Sequence, residues 1–128
     1  SSSCTVLMEF GVVDSEEGTM EIVMTNNEPV GGFQFVVTGV AIASGGASGG
    51  SAGDAGFMVS NSASTVIGFS LTGGTIDPGV AVLTVLSFEA VDESACITDV
   101  VISDSVGGAF IVQTGDCIEL DFILHISV

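Results

Sequence analysis

The stretch Cys96-Ile-Thr-Asp-Val-Val-Ile-Ser-Asp-Ser-Val-Gly-Gly-Ala-Phe-Ile-Val-Gln-Thr-Gly-Asp-Cys117 carries the reading that decides the fold class. Two runs rich in Val, Ile, Thr and Phe flank Ser105-Val106-Gly107-Gly108. β-Branched and aromatic side chains suit a pleated surface, and glycine supplies the backbone freedom of a tight turn. An antiparallel hairpin is expected. With the turn centred between Val106 and Gly107, residues equidistant from that centre pair, so Ile102 faces Ile111 and Cys96 faces Cys117. Opposed cysteines at the open end of a hairpin have the Cβ separation that a disulfide needs. The alternative is a pair of buried free thiols. Cysteine ligation of a metal is disfavoured, because the chain has no Cys-x-x-Cys pair and one His. A disulfide implies an oxidising compartment.

The same chemistry extends along the chain. Apolar runs between turn signals predict nine strands, at 5–13, 19–25, 32–43, 56–60, 65–71, 80–88, 97–103, 109–113 and 118–127. Breaks such as Asn26-Asn27-Glu28-Pro29, Asp77-Pro78-Gly79 and Asp92-Glu93-Ser94 carry turn residues. Nine short strands with hardly any helix signal predict an all-β chain, an immunoglobulin-like β-sandwich. The low-complexity stretch 45–53 resembles a flexible linker, but neither flank is long enough for a core of its own. It is expected to be a long surface loop within one domain spanning residues 1–128.

Charge narrows the function classes. The 128 residues include 16 Asp and Glu, no Lys or Arg and one His, for a formal net charge of -16. Charged residues make up 12%, against roughly 25% in an average domain. Without cations there is no phosphate clamp and no basic patch, so nucleic-acid binding and adhesion to anionic membranes are excluded. Hydrophobic residues reach 47%, enough for a packed core, and no apolar run is long enough for membrane insertion. The opening Ser1-Ser2-Ser3 without Met is read as the product of export-signal removal, which places the chain outside the cell or on its surface. No Asn-x-Ser/Thr sequon occurs, since Asn61-Ser62 is followed by Ala63, while O-linked glycan on the Ser/Thr-rich loops stays open.

No catalytic set is expected. His125 is the one candidate base, and it shares a strand face with Asp121 near the chain end. The absence of Trp and Tyr removes a sugar-stacking platform for paired carboxylates, and the Gly-rich stretch lacks the Lys of a phosphate loop. Calcium is the one credible cofactor, because hard cations take carboxylate and carbonyl oxygens from loops. The candidate ligands are Asp14, Glu16, Glu17, Asp54, Asp92 and Glu93; solvated turn residues are the bland alternative.

Both ends read as strands. Phe122, Leu124, Ile126 and Val128 share one face of the last strand, and Val6, Met8 and Phe10 share one face of the first. Such a strand pairs within its own sheet or completes the sheet of a second subunit, and a non-closing contact of the latter kind propagates into a filament. Cys4 is the odd cysteine, either an intermolecular partner or a small buried hydrophobe.

Residues from about 6 to 120 resemble a cohesin-like β-sandwich module of bacterial surface and secreted proteins. The resemblance rests on Gly18-Thr-Met-Glu-Ile-Val-Met-Thr-Asn26, Val30-Gly-Gly-Phe-Gln-Phe-Val-Val-Thr-Gly-Val40, Gly53-Asp-Ala-Gly-Phe57, Thr65-Val-Ile-Gly-Phe-Ser70, Val82-Leu-Thr-Val-Leu-Ser-Phe88 and the cysteine-bounded stretch. It implies a nine-stranded jelly roll serving protein recognition and surface assembly, without catalysis. The matching positions are framework residues, so no partner-binding residue is carried over. Joined to the terminal strands, this gives the expectation of a structural subunit of an extracellular filament, its partners copies of itself or neighbouring modules. The alternative is a calcium-dependent adhesion or carbohydrate-binding module.

Overall fold

The computed structural model describes residues 5–120. Eleven strands and one short helix follow in the order β1 (Thr5–Asp14), β2 (Thr19–Asn26), β3 (Gly32–Val37), β4 (Val40–Ser48), α1 (Gly50–Asp54), β5 (Met58–Asn61), β6 (Thr65–Phe69), β7 (Gly79–Ala90), β8 (Ser94–Ala95), β9 (Ile97–Ser103), β10 (Ile111–Thr114) and β11 (Ile118–Glu119). A five-stranded sheet runs β10-β1-β2-β7-β4, a four-stranded sheet runs β5-β6-β3-β9, and β11 with β8 forms a separate two-stranded ladder. The expected β-sandwich is present, with eleven strands rather than nine.

Period-two burial builds the core. Along β2 the inward Met20, Ile22, Met24 and Asn26 alternate with half-buried Thr19, Glu21, Val23 and Thr25. Inward residues of β1, β7, β3 and β9 add Val6, Met8, Leu83, Leu86, Phe35 and Ile102, all fully buried. Phe33 stacks near Phe35 and Phe57, with ring centroids 6.1 and 6.0 Å away. Its ring lies over Gly68 of β6, where any Cβ would collide with it.

Ser94, expected in a turn, opens β8, and the expected strand 118–127 is seen as Ile118–Glu119, with 121–127 outside the described residues; two further elements change for local reasons. The run 32–43 divides at Thr38-Gly39, because Gly39 takes a φ of 81° and the carbonyl of Ser94 packs against the place where a Cβ would sit. The Gly-rich stretch is not a long loop: its first residues finish β4, and Gly50–Asp54 form one helical turn that buries Ala52.

The cysteine-bounded stretch behaves as a hairpin only at its two ends. At the turn, Asp104 N donates to Gly108 O at 2.8 Å and Ser103 bridges Ala109, one residue away from the expected register. Beyond Phe110, whose N–H donates to Ile102 O, the strands part. β9 joins β3 and β10 joins β1, so Ile102 pairs with Phe33 and Ile111 with Thr5, not with each other. Each strand completes a longer ladder this way, and the two sheets of the sandwich are closed by one chain reversal. The strands meet again where Ile118 pairs with Ala95 and Glu119 with Ser94, in the expected register. Cys96 and Cys117 are the next pair along and form the disulfide, their Cα atoms 4.3 Å apart. The link therefore ties the two sheets together as well as two neighbouring strands.

Candidate recognition face

The outer face of the four-stranded sheet gathers apolar side chains that the core does not use. Inward Phe33, Phe35 and Val37 on β3 alternate with outward Gly32, Gln34 and Val36. On β6 the inward pair is Val66 and Gly68, which leaves Ile67 and Phe69 outside. The register sets Ser60, Ile67, Gln34 and Val101 in one row across the sheet, and Met58, Phe69, Gly32 and Ser103 in the next. Met58 is 52% exposed, Phe69 41%, Ile67 40% and Val101 56%. Lone exposed apolar residues are ordinary, whereas a contiguous group marks an interaction surface.

Charge is nearly absent from this face. Asp99 is the one carboxylate on β3, β5, β6 and β9. It sits where β9 slips by one residue against β3, with a φ of 52°, a left-handed position that Asp tolerates. On a chain of net charge -16, a sheet with a single carboxylate can be covered with little desolvation of charge.

The candidate metal ligands lie at three separate places. Asp14, Glu16 and Glu17 make the β1–β2 turn, where Asp14 Oδ1 accepts from the N–H groups of Glu16 and Glu17 at 3.0 Å each. Asp92 and Glu93 make the turn after β7, where Asp92 Oδ1 accepts from Glu93 N at 2.7 Å. Asp54 ends α1 and lines a cavity of about 320 Å³ with Asp77, Ser51 and Asn26. Asn26 there donates from Nδ2 to the carbonyls of Glu28 and Asp77 at 2.9 and 3.2 Å, tying two loops together. Among the described residues, no three His, Cys, Asp or Glu side chains come together as a metal cluster.

β1 lies between β10 and β2 in its own sheet. Val6 and Met8 are fully buried in this chain's core, and Phe10 packs partly against it. Phe122, Leu124, Ile126 and Val128 lie outside the described residues, as do Cys4, Asp121 and His125. Sequence reasoning did not single out Met58, Ile67, Phe69 or Val101. The available signal was Thr65-Val-Ile-Gly-Phe, apolar on both faces in a strand of an antiparallel sheet whose outer face would ordinarily be polar.

No protein-family model matches the sequence, and no curated protein matches it. Solved structures do. A non-cellulosomal cohesin from the archaeon Archaeoglobus fulgidus superposes with a TM-score of 0.64 over 91% of each chain, at 15% identity. The chain matched in a type I cohesin–dockerin complex from Clostridium thermocellum gives 0.60 over 94% of each, at 12% identity. A type II cohesin domain from the cellulosome of Acetivibrio cellulolyticus gives 0.57 over 94% of this chain and 96% of that one, at 10% identity. The fold is that of the cohesins.

Proposed function

We propose that this cohesin-like module is a non-enzymatic protein-recognition domain of an extracellular assembly, and that the outer face of β5-β6-β3-β9 is its docking surface. The observation that carries the reading is the set of exposed Met58, Ile67 and Phe69 in neighbouring rows, with Val101 across Gln34 from Ile67, on a face whose strands hold a single carboxylate. The fold supports it, since one structural neighbour comes from a cohesin–dockerin complex. The Cys96–Cys117 link supports an oxidising setting, and no helix among the described residues is long and apolar enough to cross a membrane. The partner is a protein whose contact surface is apolar at its centre.

A photo-crosslinking residue at Gln34, in the middle of the face, tests this in the native secreted material. A cross-linked product that disappears with Ile67→Asp and Val101→Asp is expected. The same product at the same yield in the double variant would overturn the reading.

The finer form of this function is a structural subunit that joins copies of itself head to tail through residues 121–128. Its support is the alternation of Phe122, Leu124, Ile126 and Val128, together with the absence of any Lys that would guard an exposed sheet edge.

A further inference from the structure

We infer that the edge of β10 that no described residue covers is the acceptor for residues 121–128 of a second copy of this chain; the inference rests on the self-assembly reading just given. The sandwich has four outermost strands, and three of them are closed or guarded. Across β4 and β5, Ile42 N donates to Ala63 O at 2.8 Å. Asn61 accepts from Ala47 N at 3.2 Å and donates to Ala43 O at 3.0 Å, so one side chain occupies the β4 edge. β9 carries Asp99 in its left-handed bulge, and its Ile102 carbonyl is taken by Phe110 N. A bent, charged edge of this kind resists further pairing.

β10 has none of these devices. Its four residues, Ile111-Val112-Gln113-Thr114, include no charge and no proline, and among the described residues the strand pairs with β1 alone, in a regular parallel register. Among the described residues, no backbone partner occupies its outer side. Ile111 is exposed, while Val100, Phe110 and Val112 are partly buried against the core. An added strand would extend the five-stranded sheet and cover this apolar margin with alternate side chains.

Residues 121–128 fit that description, with four apolar residues on one face and Asp121 as the one acid. The place where the described residues end favours a second copy over the chain's own edge. Leu120 N donates to Glu93 O at 2.7 Å, which prolongs the β8–β11 ladder past the disulfide, so the last described residues pair with 93–95 and not with β10. Two chains of net charge -16 would thus meet where neither bears a carboxylate along the paired strand beyond Asp121.

The experiment compares three forms of the full chain by light scattering after size exclusion, with electron microscopy of the peak fractions. The unaltered chain is expected to form multimers. Ile111→Lys with Gln113→Lys, both at exposed positions, and a chain truncated after Leu120 are each expected to run as monomers, the former at about 12.7 kDa with an unchanged melting temperature. Hydrogen exchange gives a second readout that needs no β10 variant: the amides of residues 111–114 should be more protected in the multimer than in the truncated chain. If the lysine variant assembles like the unaltered chain while truncation abolishes assembly, or if residues 111–114 gain no protection, the acceptor is not β10 and self-assembly stands. If the unaltered chain is monomeric at every concentration, the self-assembly reading itself fails.

Discussion

The two sheets of the sandwich share one core and differ in what they show to water. The five-stranded sheet places Glu9, Glu21 and Glu89 between inward core residues, with Asp14 at its rim, and its exposed apolar residues Val12, Val80 and Ile111 lie on three different strands. The four-stranded sheet holds Asp99 alone and exposes Met58, Ile67, Phe69 and Val101. An outer face that served only solubility would carry charge on both sheets. Carboxylates repel one another and keep a protein in solution, yet they must be desolvated when a partner binds. The carboxylates are unequally distributed, so burying the outer face of the four-stranded sheet would desolvate fewer of them than burying that of the five-stranded sheet. Glu21 also has a local task, since its Oε1 accepts from Val12 N at 3.1 Å and holds the β1 bulge between Phe10 and Val13.

The contrast can be broken most severely from inside. Replacing Cys96 and Cys117 together by Ala removes a link across 21 positions and should cost about 3 kcal/mol by loop-closure entropy, read as a lower denaturant midpoint. Both faces would lose rigidity, because the link joins the strands that divide between the sheets. Gly68→Ala acts on one face alone: its methyl group would meet the Phe33 ring and should cost about 1–3 kcal/mol by overpacking. A smaller loss, about 1 kcal/mol, is expected for Glu21→Ala on the other face, where one hydrogen bond to the bulge disappears. Chemical denaturation of the three variants gives the order directly.

The smallest stability effect is expected at the apolar face. Ile67→Asp and Val101→Asp sit at exposed positions and should stay within about 0.5 kcal/mol of the unaltered protein, while partner recovery falls at least tenfold. Loss of stability without loss of partner would make the face a structural one. Lowering pH toward the sequence pI of about 4.1 should weaken the solvating role of the charged face first, seen as lateral association before the circular dichroism of the fold changes.

How far the sequence revealed this arrangement differs from region to region. β2 was legible because its apolar residues alternate without interruption and Asn26 closes the run. The disulfide was legible because Cys96 and Cys117 are equidistant from a glycine turn, and the β8–β11 ladder keeps that spacing. The intervening pairing was not legible, since Val100 and Val112 suit a hairpin partner and a sheet neighbour equally well; tertiary packing chose the neighbour. Gly39 divided one expected strand into two through a contact with Ser94, a residue far away in sequence. The apolar outer face escaped notice for a related reason. Ile67 and Phe69 look like core residues until the register shows that Val66 and Gly68 already fill the inward positions of β6.

The central claim, that the apolar face of β5-β6-β3-β9 is where a partner docks, is tested most directly by hydroxyl-radical footprinting of the module in its native assembly and alone. Met58 and Phe69 are exposed and oxidisable, so the claim predicts that their oxidation falls severalfold in the assembly while oxidation of the exposed Leu71 beside the face changes little. Equal oxidation of Met58 and Phe69 in both states, with protection appearing instead beside Glu9, Glu21 and Glu89, would contradict it.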